Sequence, residues 1–234
     1  MADIDQDNSS IDELCDTLLA IEHTERCSRL IGAAINSAFA DDASFRETMR
    51  PLNYAAARKS KAHSATCDFY YEDALNGYLV SAYHSARAAE LLFEQAYEYR
   101  GNLQVFGQLI SVHHAFGPSI VFKLQSAQSL LSHDVVCQSL SCDRAAVEGM
   151  FHNLFPQLRE ARNALAHADE RALGLNRRKH FSSGNDFETR QSYGQRGTHI
   201  FDLLDGDLKP IEIDVSSAKI VALIEALKGL LCVS

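Results

Sequence analysis

Along most of this chain apolar residues recur at steps of three and four, the spacing of helices with one buried face. Residues 1–9 are polar and acidic and read as an arm, after which Ser10-Ile11-Asp12-Glu13 has the form of a capping box. From there Ile11, Leu14, Leu18, Leu30, Ile31, Ile35 and Ala38 predict a helix to about Phe39, interrupted in polarity by Glu22-His23-Thr24-Glu25-Arg26. Asp41-Asp42 opens a shorter helix that stops near Arg50-Pro51, and Arg58-Lys59-Ser60-Lys61 reads as a basic linker. A long helix is predicted from about Ser64 to Tyr99, with Cys67, Tyr70, Ala74, Tyr78, Ala82, Ala86, Ala89, Phe93 and Tyr97 as its stripe. Gly101-Asn102 ends it, and Gly117-Pro118 predicts a break between helices at Leu103–Phe116 and Pro118–Ser132, with Pro at N1 of the second.

The second half changes character. Asp143 is a candidate N-cap for a helix that carries Val147, Phe151, Leu154, Leu158, Ala161 and Leu165 inward, with a kink expected at Pro156 and a terminator at Gly174. From Leu175 to Gly197 no period survives, and a loop longer than about 15 residues is usually functional or disordered. Thr198–Leu204 and Asp207–Val215 then alternate with period two and predict a β-hairpin on a type I′ turn at Asp205-Gly206. Ser216 or Ser217 caps a last helix whose apolar face is Ile220, Leu223, Ile224, Leu227 and Leu231. The expected fold is mostly α, a helical bundle with a late β-hairpin between the motif helix and the C-terminal helix. It is one domain over residues 1–234, with N-terminal helices at 10–62 and the bundle at 63–234.

At 234 residues the chain can bury a full core. No apolar run in the sequence approaches the ~18–20 residues of a membrane helix, and the acidic start is unlike a signal peptide. The six cysteines form no Cys-x2-Cys pair and fall mostly in helical apolar patterns, as expected of reduced thiols in a cytoplasmic protein that makes no membrane contact. No zinc motif, phosphate-cradling glycine loop or nucleophile elbow is present, and His113-His114, adjacent on a helix, diverge by about 100°. No metal or cofactor is therefore expected. A net charge of −9 argues against indiscriminate nucleic-acid binding, but residues 159–196 hold eight bases against five acids, a local +3 that leaves −12 for the rest. The basic positions include Arg159, Arg171, Arg177, Arg178 and Lys179, candidate RNA contacts; a solvated arginine-rich loop is the plain alternative.

On the helix ending near residue 171, Arg159, Asn163, His167 and Glu170 fall opposite the apolar stripe, with Arg162 between the two faces. Arg162-Asn163-x3-His167, among Ala164, Ala166 and Ala168, resembles the Arg-x4-6-His motif of the HEPN superfamily, the higher eukaryotes and prokaryotes nucleotide-binding domains. The resemblance implies an all-helical fold and a metal-independent endoribonuclease of toxin–antitoxin or anti-phage systems, with Arg162, Asn163 and His167 as catalytic residues in a composite site shared by a homodimer. It also implies RNA as a partner and an antitoxin or defence-system protein as a further one. Asp169 stands where some toxins of this kind carry a Tyr, which disfavours regulation by modifying that residue. The chemistry suits the residue types: RNA supplies its own 2′-hydroxyl nucleophile, His exchanges protons near neutrality, and the Arg fork holds phosphate oxygens. Five helical positions separate Arg162 from His167, about 7.5 Å along the axis and about 140° around it, so one chain does not simply bring both to one phosphate; a two-fold dimer relieves this. A non-catalytic module that binds RNA or a protein as a scaffold is the competing reading.

If the basic loop guides RNA, replacing Arg177, Arg178 and Lys179 together with Ala weakens RNA binding and flattens its salt dependence, since each lost phosphate contact removes released counterions. Affinity titrations over a salt series check this; an unchanged slope marks the loop as solvated surface.

Overall fold

The computed structural model describes residues 5–40, 43–50, 52, 71–166, 194–204 and 209–232. It is a mostly helical bundle with a small antiparallel sheet placed late, before the last helix. The first helix, α1 (Asp5–Phe39), begins inside the stretch expected as an arm and packs lightly, through Cys27, Ala34 and Ala38. A short helix α2 (43–50) follows, and its Phe45 ring stacks on Tyr83 at 3.7 Å between centroids. Next come α3 (Tyr71–Glu98) and α4 (Leu103–Leu131), which pack along each other as the central pair. Asn102 makes the turn between them and caps α4, accepting from the Val105 N–H at 3.2 Å.

The expected break at Gly117-Pro118 does not occur: α4 runs through it as one helix. Pro118 deprives the His114 carbonyl of its amide, a defect of about 3 kcal/mol in a helix interior. Burial of Ile120, Val121, Leu124, Ala127 and Leu131 beyond the proline supplies the compensation, each large aliphatic side chain contributing about 1.5–3 kcal/mol. Gly117 has a separate role. A Cβ there would lie 2.4 Å from Oε1 of Gln195 and 3.2 Å from Cδ1 of Ile200, so the glycine is where the sheet meets the helix. As one piece α4 is long and apolar enough, by length and composition, to cross a membrane, unlike the two shorter helices expected. Here one side of it is a core face, with Leu109, His113, Gly117, Ile120 and Leu124 buried.

Two short helices, α5 (Asp134–Leu140) and α6 (Arg144–Leu154), lead to α7 (Leu158–Ala166). Asp143 caps α6 as the sequence suggests, accepting from the Ala145 and Ala146 amides at 3.3 and 3.0 Å. The kink expected at Pro156 is a full break: the helix stops at Leu154, and Gln157 turns the chain at φ 64° before α7 starts.

The sheet has three strands, β1 (Gly194–Arg196), β2 (His199–Leu204) and β3 (Pro210–Asp214), in that order. One strand more than expected is present, cut from the end of the stretch read as loop. A two-residue turn joins β1 and β2: Arg196 pairs with His199 across Gly197-Thr198, and Gly197 at φ 59° takes the first central position, where a type II′ turn requires glycine. Between β2 and β3, Leu204 pairs with Pro210, with five residues between them, and the turn expected at Asp205-Gly206 lies outside the described residues. Pro210, which donates no amide, sits in the first position of the outer strand, where it can be tolerated. Ile200, Ile211, Ile213 and Val215 are buried under the sheet, as the alternation predicts. The last helix, α8 (Ser217–Cys232), buries Ile220, Leu223, Ile224, Leu227 and Leu231. Glu90 of α3 accepts from its first residue, Ser217, through both N–H and Oγ at 2.9 Å, a carboxylate at a helix N-terminus.

His113 is fully buried and donates Nε2–H to the Gly197 carbonyl at 2.7 Å, while Gln195 Nε2 donates to the same carbonyl at 3.0 Å. Its Nδ1 is buried with no partner among the described residues. Burial pushes the imidazole below its ordinary range, the Gly197 carbonyl pulls it back, and His114 adds to the depression. A depressed folded value means that stability is fully present above the unfolded pKa of about 6.5 and is lost as pH falls through the folded value, with a slope of at most about 1.4 kcal/mol per pH unit. Urea midpoints at pH 7.5 and pH 5 therefore fall more for the parent than for His113→Gln; parallel losses would refute the linkage.

Candidate functional site

The motif segment is shaped by what lies behind α7. Leu158, Ala161, Ala164 and Leu165 are buried against α4, β2 and β3. The opposite face is turned to solvent and carries Arg159, Arg162 and Asn163, at helical steps that place them side by side. The sequence assigned this division of faces correctly up to Ala166, the last described residue of α7. His167, Arg171, Arg177, Arg178 and Lys179 lie outside the described residues.

These three side chains form one wall of a cleft of about 900 Å³. Tyr78 of α3 and Phe122, Gln125, Ser126 and Ser129 of α4 line it as well. The remaining wall is the elbow between α4 and α5, where Leu130, His133, Val135 and Val136 stand. Among the described residues no carboxylate lines it. In a chain of net charge −9 that absence is selective.

Arg162 donates to Asn163 Oδ1 at 3.2 Å, and its guanidinium carbon sits 5.8 Å from the centre of the Phe122 ring. Both contacts hold the fork without neutralising it. The Asn163 oxygen is thereby occupied, so its NH2 is the end offered to a ligand. Neither Arg159 nor Arg162 meets a carboxylate among the described residues. On the α4 wall, Gln125 Nε2 donates to Gln128 Oε1 at 3.2 Å and Ser129 Oγ at 3.3 Å, leaving Gln125 Oε1 buried without a donor. The cleft thus offers two planar cations, amide and hydroxyl groups and aromatic surface, a set suited to a phosphate with an attached nucleoside.

Sequence reading passed over His133, Gln125, Ser126 and Ser129. The polar strip Gln125-Ser126-x2-Ser129 in an otherwise apolar helix was the available signal. Its partner wall is thirty residues away in sequence, and only packing shows that they meet. Elsewhere the chemistry is structural. His84 binds the Ala38 carbonyl through Nδ1 at 2.5 Å and stacks on Phe39, and His113 belongs to the sheet contact. Cys27 is buried, which pushes its thiol up against a smaller opposing pull from Arg26, the state of an inert thiol. Cys27, Cys137 and Cys142 are free thiols. Among the described residues no group of three His, Cys, Asp or Glu side chains gathers as a metal set would.

No family model, no curated protein and no solved structure matches the chain.

Since Arg159 and Arg162 are exposed and bond to no carboxylate among the described residues, their joint replacement by Ala leaves no buried charge stranded there. Thermal melts of that double variant stay within about 1 kcal/mol of the parent, the Phe122 contact being the main loss. RNA binding, read by anisotropy at fixed salt, weakens at least about tenfold, because a hydrogen bond to a charged group contributes about 1.5–3 kcal/mol. Unchanged affinity would separate the cleft from nucleic acid.

Proposed function

We propose that this protein is a metal-independent endoribonuclease of HEPN type. The observation that supports it is the cleft in which Arg159, Arg162 and Asn163 stand together, with no carboxylate in its lining and no ion pair to either arginine among the described residues. In this reading Arg162 holds the scissile phosphate and stabilises the charge that grows on its oxygens, Asn163 orients it, and Arg159 holds the neighbouring phosphate. His167 is the general base that takes the proton from the 2′-hydroxyl, and Arg171, Arg177, Arg178 and Lys179 draw the strand in. The 2′-oxygen bonds to phosphorus as the bond to the 5′-oxygen breaks, giving a 2′,3′-cyclic phosphate and a 5′-hydroxyl. A two-fold homodimer that sets one α7 outer face near its copy would bring the second set of motif residues to the same RNA, as the resemblance implies. The host process, a toxin or anti-phage system, is part of the same proposal.

Cleavage of labelled RNA in excess EDTA is the test. The expected products end in 2′,3′-cyclic phosphate, and an RNA with a 2′-deoxy residue at the cut site stays intact. His167→Ala slows cleavage by at least about a hundredfold, the lower range of general acid–base catalysis. Arg162→Lys is also impaired, because the charge remains but the fork is lost, and Asn163→Ala is milder. Cleavage by His167→Ala at the parent rate sinks the assignment. RNA binding without any cleavage replaces it with the non-catalytic binding module.

A further inference from the structure

Cleavage by the 2′-hydroxyl needs an acid as well as a base, since the departing 5′-oxygen must gain a proton. Among the described residues of the cleft, one side chain is of the type that titrates near neutrality: His133. The other ionisable side chains there are the Tyr78 phenol and the Arg159 and Arg162 guanidinium groups. No Asp, Glu, Lys or Cys is among the described lining residues.

His133 is held in the way such a group requires. It occupies the elbow between α4 and α5, its N–H donating to the Leu130 carbonyl at 3.2 Å and its carbonyl accepting from the Cys137 amide at 2.9 Å. The main chain is pinned on both sides, yet the ring is exposed and does not cap α5. It makes no hydrogen bond, ion pair or ring contact among the described residues. Asp134, next along the chain, is engaged by Arg144 at 3.5 Å. Three other described histidines are committed: His84 to the Ala38 carbonyl, His113 to Gly197, and His199, which faces Glu212 at 3.7 Å.

We infer that His133 is the general acid of this cleft, protonating the 5′-oxygen of the RNA strand as it leaves phosphorus. The inference rests on the endoribonuclease reading above. The 2′-oxygen forms its bond to phosphorus and its proton goes to the base assigned to His167. The electron pair of the breaking bond goes to the 5′-oxygen, which takes the proton from the His133 imidazolium, and water later restores it. Each chain supplies its own acid from the α4–α5 elbow, and the second copy of the motif is not required for that proton.

The test uses the full chain in EDTA and two RNAs, one ordinary and one with sulfur replacing the 5′-bridging oxygen at the mapped cut site. A thiolate leaves without a proton, so loss of the acid is silent on the sulfur substrate. His133→Ala should cleave ordinary RNA at least about a hundredfold more slowly and the sulfur RNA within a few-fold of the parent. Its affinity for RNA blocked by a 2′-deoxy residue should match the parent's. His133→Gln, which keeps a polar side chain of similar reach, repeats the measurement should the alanine variant melt early. Equal slowing on both substrates, or parental cleavage of ordinary RNA, overturns the role of His133 while the endoribonuclease reading stands. A parent that cleaves neither RNA overturns both.

Discussion

The proline at residue 118 removes the amide that would ordinarily donate to the His114 carbonyl in the middle of α4, and the helix continues regardless. Much of the molecule depends on that continuity. The first half of α4 packs with α1 and α3 around Leu92, Ala96, Val105 and Leu109. Its second half enters the main core through Ile120, Val121, Leu124, Ala127 and Leu131. A hinge at Gly117-Pro118 would uncouple the two clusters. It would also remove the flat spot on which Gln195 and Ile200 bring the sheet down.

The sheet in turn decides what α7 can present. Ile200, Ile211 and Ile213 fill the space behind α7 and help bury Leu158, Ala161 and Leu165, so the helix cannot rotate without exposing them. Arg159, Arg162 and Asn163 are thereby committed to the cleft side. Among the described residues their guanidinium groups meet no carboxylate, while Arg50, Arg87 and Arg144 pair with Glu47, Glu90 and Glu148. Acids pair with bases on the outer surface and are absent from the described lining of the cleft, a distribution that favours a polyanion at one place in an acidic protein.

Amphipathic faces could be read directly from the sequence by itself. The buried stripe of α8, the alternation of β3, the Asp143 cap and the two faces of α7 all follow from local period and capping chemistry. Burial of one face requires no knowledge of what covers it, so spacing alone suffices. The mostly helical class with a late sheet was determined in the same way, and so was the grouping of Arg159, Arg162 and Asn163.

What only the tertiary structure decided are the matters in which distant residues compete with a local preference. Gly117-Pro118 is a breaker by local rules, and long-range burial overrides it. Gly197 makes a tight turn that local pattern did not mark, because β1, too short to show a period, finds β2 as its partner. His113, which the sequence set aside as a metal ligand, is a buried anchor for the Gly197 carbonyl. His133 had no helical face or motif to mark it, and it meets Arg162 only across a cleft formed by helices distant in sequence. Periodicity tells a side chain to face inward or outward; which outward side chains face one another is set by how the helices pack.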